Sequence, residues 1–130
     1  MAALKTQPTK ASVKAFIESV ASEQIRADSR QVLKMMERAT KAKAKMWGSS
    51  IVGCGSRTLK YADGSETSWM RIGFSPRKDK ITLYLAPFGK KAALLAKLGN
   101  YKGSKACVHI KGLSAVDLAV LERLIAESVK

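Results

Sequence analysis

Apolar residues recur at helical spacing near the start of the chain. Val13, Phe16, Ile17 and Val20 stand at i, i+3, i+4 and i+7. They form one stripe of a helix over about Ser12–Ala21, with Thr9 or Ser12 as its cap. Ser22 can cap a second helix, whose face is lined by Ile25, Ser29, Val32, Leu33 and Met36 as far as Lys41. Met35 and Met36 read as core filler, because unbranched thioethers fit irregular gaps. Lys41, Lys43 and Lys45 follow, and cations suit the negative end of a helix dipole.

From Met46 the period falls to two. Met46–Cys54, with glycines at 48, 53 and just beyond at 55, predicts an irregular strand or a strand with a bulge. Leu59 and Tyr61 alternate with Thr58 and Lys60 in a second strand. Ala62-Asp63-Gly64-Ser65 is a hairpin turn, since Asp-Gly tolerates positive φ. Met70, Ile72 and Phe74 make the inward side of a third strand, and Ser75–Lys80 turns. Ile81, Leu83 and Leu85 alternate with Thr82, Tyr84 and Ala86 in a fourth. Strands joined this closely favour an antiparallel meander. A helix over about Lys90–Leu98 stops at Gly99, and Asn100–Ser104 is a basic loop. Ala106, Val108 and Ile110 alternate with Cys107, His109 and Lys111 in a fifth strand, the first set inward and the second outward. Ser114 with Asp117 resembles a capping box and opens a last helix with Leu118, Leu121, Leu124 and Ile125 inward.

The order ααββββαβα puts the helices mostly outside the strand run. The expected fold class is therefore α+β: two layers, a mainly antiparallel sheet of about five strands with helices on one face. No internal repeat or linker divides the chain. Residues 1–130 are expected to form one domain, with 1–8 as a flexible N-terminal tail.

Composition sharpens this. At 130 residues and 46% hydrophobic, the chain has enough apolar content for a core without metal or disulfide staples. No stretch approaches the roughly 20 apolar residues that cross a bilayer, and Met1–Lys10 has no signal-peptide core, so a cytoplasmic location is expected. Cys54 and Cys107 fit no zinc-ligand spacing and read as two small buried thiols. A disulfide between them requires Cα atoms within about 7 Å. Lys and Arg number 24 against 10 Asp and Glu, a formal charge of +14. The surplus is uneven: Lys80–Val116 holds seven lysines and no acid. Such a window attracts anions.

Several runs resemble a known family. Met46-Trp47-Gly48, Ser50-Ile51-Val52-Gly53, Lys60-Tyr61, Gly73-Phe74-Ser75-Pro76-Arg77-Lys78 and Thr82-Leu83-Tyr84-Leu85 stand in an order similar to that of the YdhG-like family, a domain family of unknown function. Leu98-Gly99, Lys102, Gly103, Lys105, Cys107, Ile110-Lys111 and Val116-Asp117-Leu118 extend the resemblance to almost the whole chain. It implies an α+β fold and little chemistry, with one member described as a frataxin-like intracellular iron chaperone. Ser49, Cys54, Arg57-Thr58-Leu59 and His109 depart from the usual pattern, so the fold transfers better than any site.

The residues themselves rank the chemistry. Iron needs several carboxylates converging on one face. Glu18, Glu23, Asp28 and Glu37 form no such ridge, and lysines and arginines flank two of them. Gly48–Gly55 has the glycine spacing of a phosphate loop, but Cys54 and Gly55 stand where its lysine and hydroxyl belong. Cys107 and His109 share one side of a strand about 6.5–7 Å apart, too far for a thiolate–imidazole bond. No catalytic constellation, metal site or cofactor is expected. Arg77, in the turn with Ser75 and Lys78, offers a planar fork for phosphate or carboxylate. Lys102 and Lys105 lie in a second basic loop. The leading expectation is a non-enzymatic module with a basic cleft for an anionic small molecule, a phosphate group or an acidic partner. Arg77, Lys78, Lys102 and Lys105 would supply charge, Ser75 and Tyr84 hydrogen bonds, and Trp47 a flat apolar wall. The alternatives are the frataxin-like iron chaperone and sequence-independent nucleic-acid binding. No membrane partner is expected, and monomer and dimer both stay open.

Overall fold

In a computed structural model, which describes residues 8–9, 11–48, 50–60, 62–85, 91–99, 101–103 and 107–129, both N-terminal helices open on the expected serines. α1 (Val13–Glu18) starts at Ser12, whose hydroxyl accepts from the Ala15 amide at 3.1 Å. It is shorter than its apolar stripe. The Ser19 hydroxyl donates back to the Phe16 carbonyl at 2.6 Å, offering that group a partner outside the helix ladder. α2 (Glu23–Thr40) starts at Ser22, which accepts from the Ile25 amide at 3.2 Å. Its end is Lys41, in the left-handed region at φ 57°, a conformation that costs a side-chain-bearing residue about 1 kcal/mol.

Among the described residues the sheet has seven strands, all antiparallel to their neighbours. They are β1 (Pro8–Thr9), β2 (Ala44–Trp47), β3 (Ile51–Lys60), β4 (Glu66–Pro76), β5 (Ile81–Tyr84), β6 (Lys102–Gly103) and β7 (Cys107–Ile110). Their spatial order is β1-β2-β3-β4-β5-β7-β6. β1 and β6 raise the number above five, since the expected Met46–Cys54 strand splits while its second half fuses with the expected strand at Leu59 into β3. Gly48, at φ 72°, turns the chain so that Met46–Cys54 becomes two paired strands, with Trp47 opposite Ile51. β1 and β6 have two residues each, too few to show a period. β1 also brings Pro8 into the sheet. The turn at Asp63-Gly64 forms as expected: Asp63 Oδ1 accepts from the Ser65 amide at 2.9 Å, and Gly64 sits at φ 88°.

α3 (Lys91–Leu98) ends at Gly99, where φ is 115°. A short 3-10 turn (Leu113–Ala115) precedes α4 (Leu118–Ser128). The cap of α4 is Asp117, whose Oδ1 accepts from the Ala119 and Val120 amides at 3.0 and 3.2 Å. Ser114 lies in the 3-10 turn, so the expected capping box does not form. The helix therefore begins at Leu118, which is 42% exposed and not inward, while Leu121, Leu124 and Ile125 are buried.

The core lies between the helices and one sheet face. Val52, Cys54, Ile72, Phe74, Leu83 and Val108 meet Ile25, Val32, Met36, Leu98, Leu121 and Leu124 there. Asp28 is buried beside this layer. Its Oδ2 accepts from the Leu113 amide at 3.0 Å and its Oδ1 from Gln24 Nε2 at 2.9 Å, tying α2 to the 3-10 turn. A Cβ on Gly112 would stand 2.8 Å from that Oδ2, so the glycine lets the turn close on the carboxylate.

The opposite sheet face has its own small cluster. Gly53 and Gly73 are cross-strand partners. A Cβ on Gly53 would lie 2.5 Å from Trp47 Cδ1 and 2.8 Å from Met70 Cβ, and one on Gly73 2.5 Å from Met70 Sδ. The two glycines thus leave a lane that Trp47 and Met70 fill. Trp69 stands edge-on to Trp47, with centroids 5.8 Å apart and planes at 67°. Met70 was expected beside Ile72 and Phe74. The alternation slips at Gly55, where φ is 66°. Arg71, against Gly55, turns to the helical side and donates to the Val129 carbonyl.

Candidate functional site

The register of the sheet sets out the site. Ser75 pairs with Thr82, Thr82 with His109, and His109 with Lys102. Cross-strand partners project to the same side. Four polar side chains therefore stand in one row across β4, β5, β7 and β6. Phe74, Leu83 and Val108, their neighbours in sequence, face the core, so this row is on the face away from the helices. A second row beside it holds Gly73, Tyr84 and Cys107.

Arg77 comes from the β4–β5 turn, closed by its amide donating to the Lys80 carbonyl at 2.7 Å. It continues the Gly73–Ser75 side of β4, and its Nη2 reaches the Tyr84 hydroxyl at 3.5 Å. That distance is the long end of the hydrogen-bond range, so the guanidinium keeps most of its donor capacity. Thr82 Oγ1 and His109 Nδ1 are 2.8 Å apart. Thr82 is buried, Tyr84, Cys107 and His109 are half-buried, and Arg77, Lys78 and Lys102 are exposed. Among the described residues no carboxylate pairs with Arg77, Lys78 or Lys102; the ion pair that does form, Arg30 to Glu18 at 2.7 Å, joins α1 and α2. The Arg30 guanidinium holds the Glu18 carboxyl below its usual range.

The expected ligand-binding residues divide. Arg77 and Tyr84 come together on the open face, and Lys102 stands at the far end of the polar row. Lys78 is exposed in the same turn as Arg77. Lys105 lies outside the described residues. Trp47 is 3% exposed and packs on Gly53 and Trp69, so its ring faces protein. Ser75 is fully buried, and its hydroxyl donates to the Ser50 carbonyl at 2.6 Å, pinning β4 to the β2–β3 turn. Thr82 and His109 were not among the expected site residues. Alternation sets Thr82 apart from Ile81 and Leu83 and His109 outward, but only the strand register aligns the two with Lys102.

The remaining candidate groups are otherwise engaged. Asp28 holds the Leu113 amide, and Glu37 Oε2 accepts from the Ala44 amide at 2.8 Å. Among the described residues no three of His, Cys, Asp or Glu are grouped so as to hold a metal ion. Cys54 is on the core face, where burial pushes its thiol from near 9 up to about 12. Cys107 is on the other face and three strands away, about 14 Å at the usual strand spacing. Both cysteines are free, and neither a disulfide nor a Cys54–His109 pair can form across that separation. Among the described residues no helix is long and apolar enough to cross a membrane. No protein-family model, curated protein or solved structure matches the chain.

Proposed function

We propose that the protein is a non-enzymatic binding module that takes an anionic small molecule or phosphate-bearing group on its open sheet face. Arg77 is the principal contact, Tyr84 the hydroxyl beside it, and Lys78 and Lys102 the flanking charges. One observation carries this reading: the Arg77 guanidinium lies on that face with a phenol as partner and, among the described residues, no carboxylate. An arginine fork lacking its own counter-ion suits a planar or tetrahedral oxyanion. The acid-free Lys80–Val116 window supports it by keeping the local potential positive. Trp47 and Ser75 have structural work and drop out of the ligand set.

Calorimetry with inorganic phosphate and sulfate tests the reading. A hydrogen bond to a charged group contributes about 1.5–3 kcal/mol, so Arg77→Gln should weaken binding about tenfold or more. Adding Lys102→Gln should weaken it further without changing the melting temperature. Absence of oxyanion binding would overturn the proposal. Retention of duplex DNA, with a salt slope of about −0.9 for each neutralised phosphate, would replace it with a nucleic-acid reading.

A further inference from the structure

We infer that His109 completes the anion site, held for that role by Thr82, and that the site takes a compact, doubly charged oxyanion together with one proton. The inference rests on the anion-binding reading above and adds to it the class of anion and a linkage to pH. His109 is the chain's sole histidine. It stands in the polar row between Thr82 and Lys102, half-buried, with Nδ1 at 2.8 Å from Thr82 Oγ1. That contact occupies Nδ1 and leaves Nε2 as the ring atom available to a ligand. Gly103 makes room for the ring: a Cβ there would approach His109 Cδ2 to 3.0 Å and overlap the Cys107 carbonyl oxygen.

The choice of threonine as partner matters. A carboxylate or a carbonyl can only accept, whereas a hydroxyl both donates and accepts. With neutral imidazole the Thr82 hydroxyl donates to Nδ1, and Nε2 carries the hydrogen. With imidazolium Nδ1 donates to Thr82 Oγ1, and Nε2 still donates outward. The buried hydroxyl is satisfied in both states, so a proton can be added without breaking the contact. Nε2 presents a donor to the anion throughout and a full charge once protonated.

Among the described residues of the β4–β5 turn, β6 and β7, every charged group but one is a cation. Arg77, Lys78 and Lys80 come from the β4–β5 turn, Lys102 from β6, and Lys111 follows β7. Like charges disfavour a further cation. A bound dianion reverses that balance. Asp79 is the carboxylate of the turn and moderates the field. Tyr84 and Cys107 share the face. Imidazole is the side chain whose ordinary titration falls between pH 5 and 8, and His109 is the imidazole of this face. Anion binding favours its protonation, and protonation favours the anion by the same factor.

Sulfate keeps its double charge from pH 5 to 8, so any pH dependence of its binding belongs to the protein. A lone histidine also gives a single imidazole Cε1–H proton resonance. At constant ionic strength, sulfate should move the midpoint of that resonance upward by about 1 unit, since an opposite charge within ~4–6 Å moves a titrating group by 1–3 units. Sulfate affinity should correspondingly rise about tenfold from pH 8 to pH 5.5. His109→Gln should bind sulfate with the same affinity at both pH values. Thr82→Val should reduce the midpoint shift, and Thr82→Ser should restore it. Sulfate binding that is equally tight at both pH values, with an unmoved midpoint, overturns the proton linkage and leaves the Arg77 site standing. No sulfate or phosphate binding at any pH overturns both.

Discussion

Single residues on this sheet are sorted by which face they occupy, and the two cysteines show the consequence. Cys54 is fully buried in the core layer, where its thiol is held protonated up to about pH 12; Cys107 is half-buried on the open face. Because thiolate is the reactive species, a thiol reagent at neutral pH should modify Cys107 alone in the native protein and both cysteines in denaturant, read as one and then two equivalents. The same burial has a pH signature. Above its ordinary value near 9 an unfolded Cys54 loses its proton while the folded one keeps it, so stability falls between about pH 9 and 12. Serine at 54 should flatten that part of the stability profile. The residues that sequence alone misplaces fail for a related reason. Trp47 and Ser75 have the right chemistry for a ligand site, but the Gly53–Gly73 lane and the Ser50 carbonyl use them first. Both partners lie on a neighbouring turn or strand, and residue type carries no trace of them.

At the scale of the elements, the sequence is most legible where local chemistry decides. Ser12, Ser22 and Gly99 act where spacing puts them, because caps and stops depend on residues within a few positions. It is least legible where two candidates lie close together. Ser114 and Asp117 both have cap chemistry, and the Leu98 carbonyl, taking the Asp117 amide at 2.7 Å, settles the choice from another helix. Asp117→Ala should therefore cost about 1 kcal/mol, the usual worth of an N-cap, while Ser114→Ala should change the urea midpoint little. Equal effects of the two substitutions would restore the capping box. By comparison the Arg30–Glu18 pair, with both side chains 49% exposed, contributes less, since exposed pairs are hydrated and screened by salt. The strand count shows a different limit. A two-residue edge strand has no period of its own, and β1 and β6 exist because β2 and β7 offer them unpaired backbone.

For the whole molecule, alternation along the strands was enough to predict two layers with one face buried and one open. It could not say which open-face residues meet. That depends on the order β5-β7-β6, which brings His109 from late in the chain between Thr82 and Lys102. The formal charge of +14 gains a location in the same way: Glu18, Asp28 and Glu37 of α1 and α2 are engaged on the helical side, while Arg77, Lys78 and Lys102 have no carboxylate partner among the described residues. The lane between Gly53 and Gly73 has an optical consequence. The chain's two tryptophans meet edge to face on the side of the sheet remote from the helices, so intrinsic emission reports that face, and ellipticity at 222 nm, a generic helix band, reports mainly the other layer. Because one buried cluster joins sheet and helices, the two signals should share a denaturation midpoint, as two-state domains of about this size do. Emission that changes ahead of ellipticity would mean that the open face loosens on its own, exposing the polar row before the core gives way.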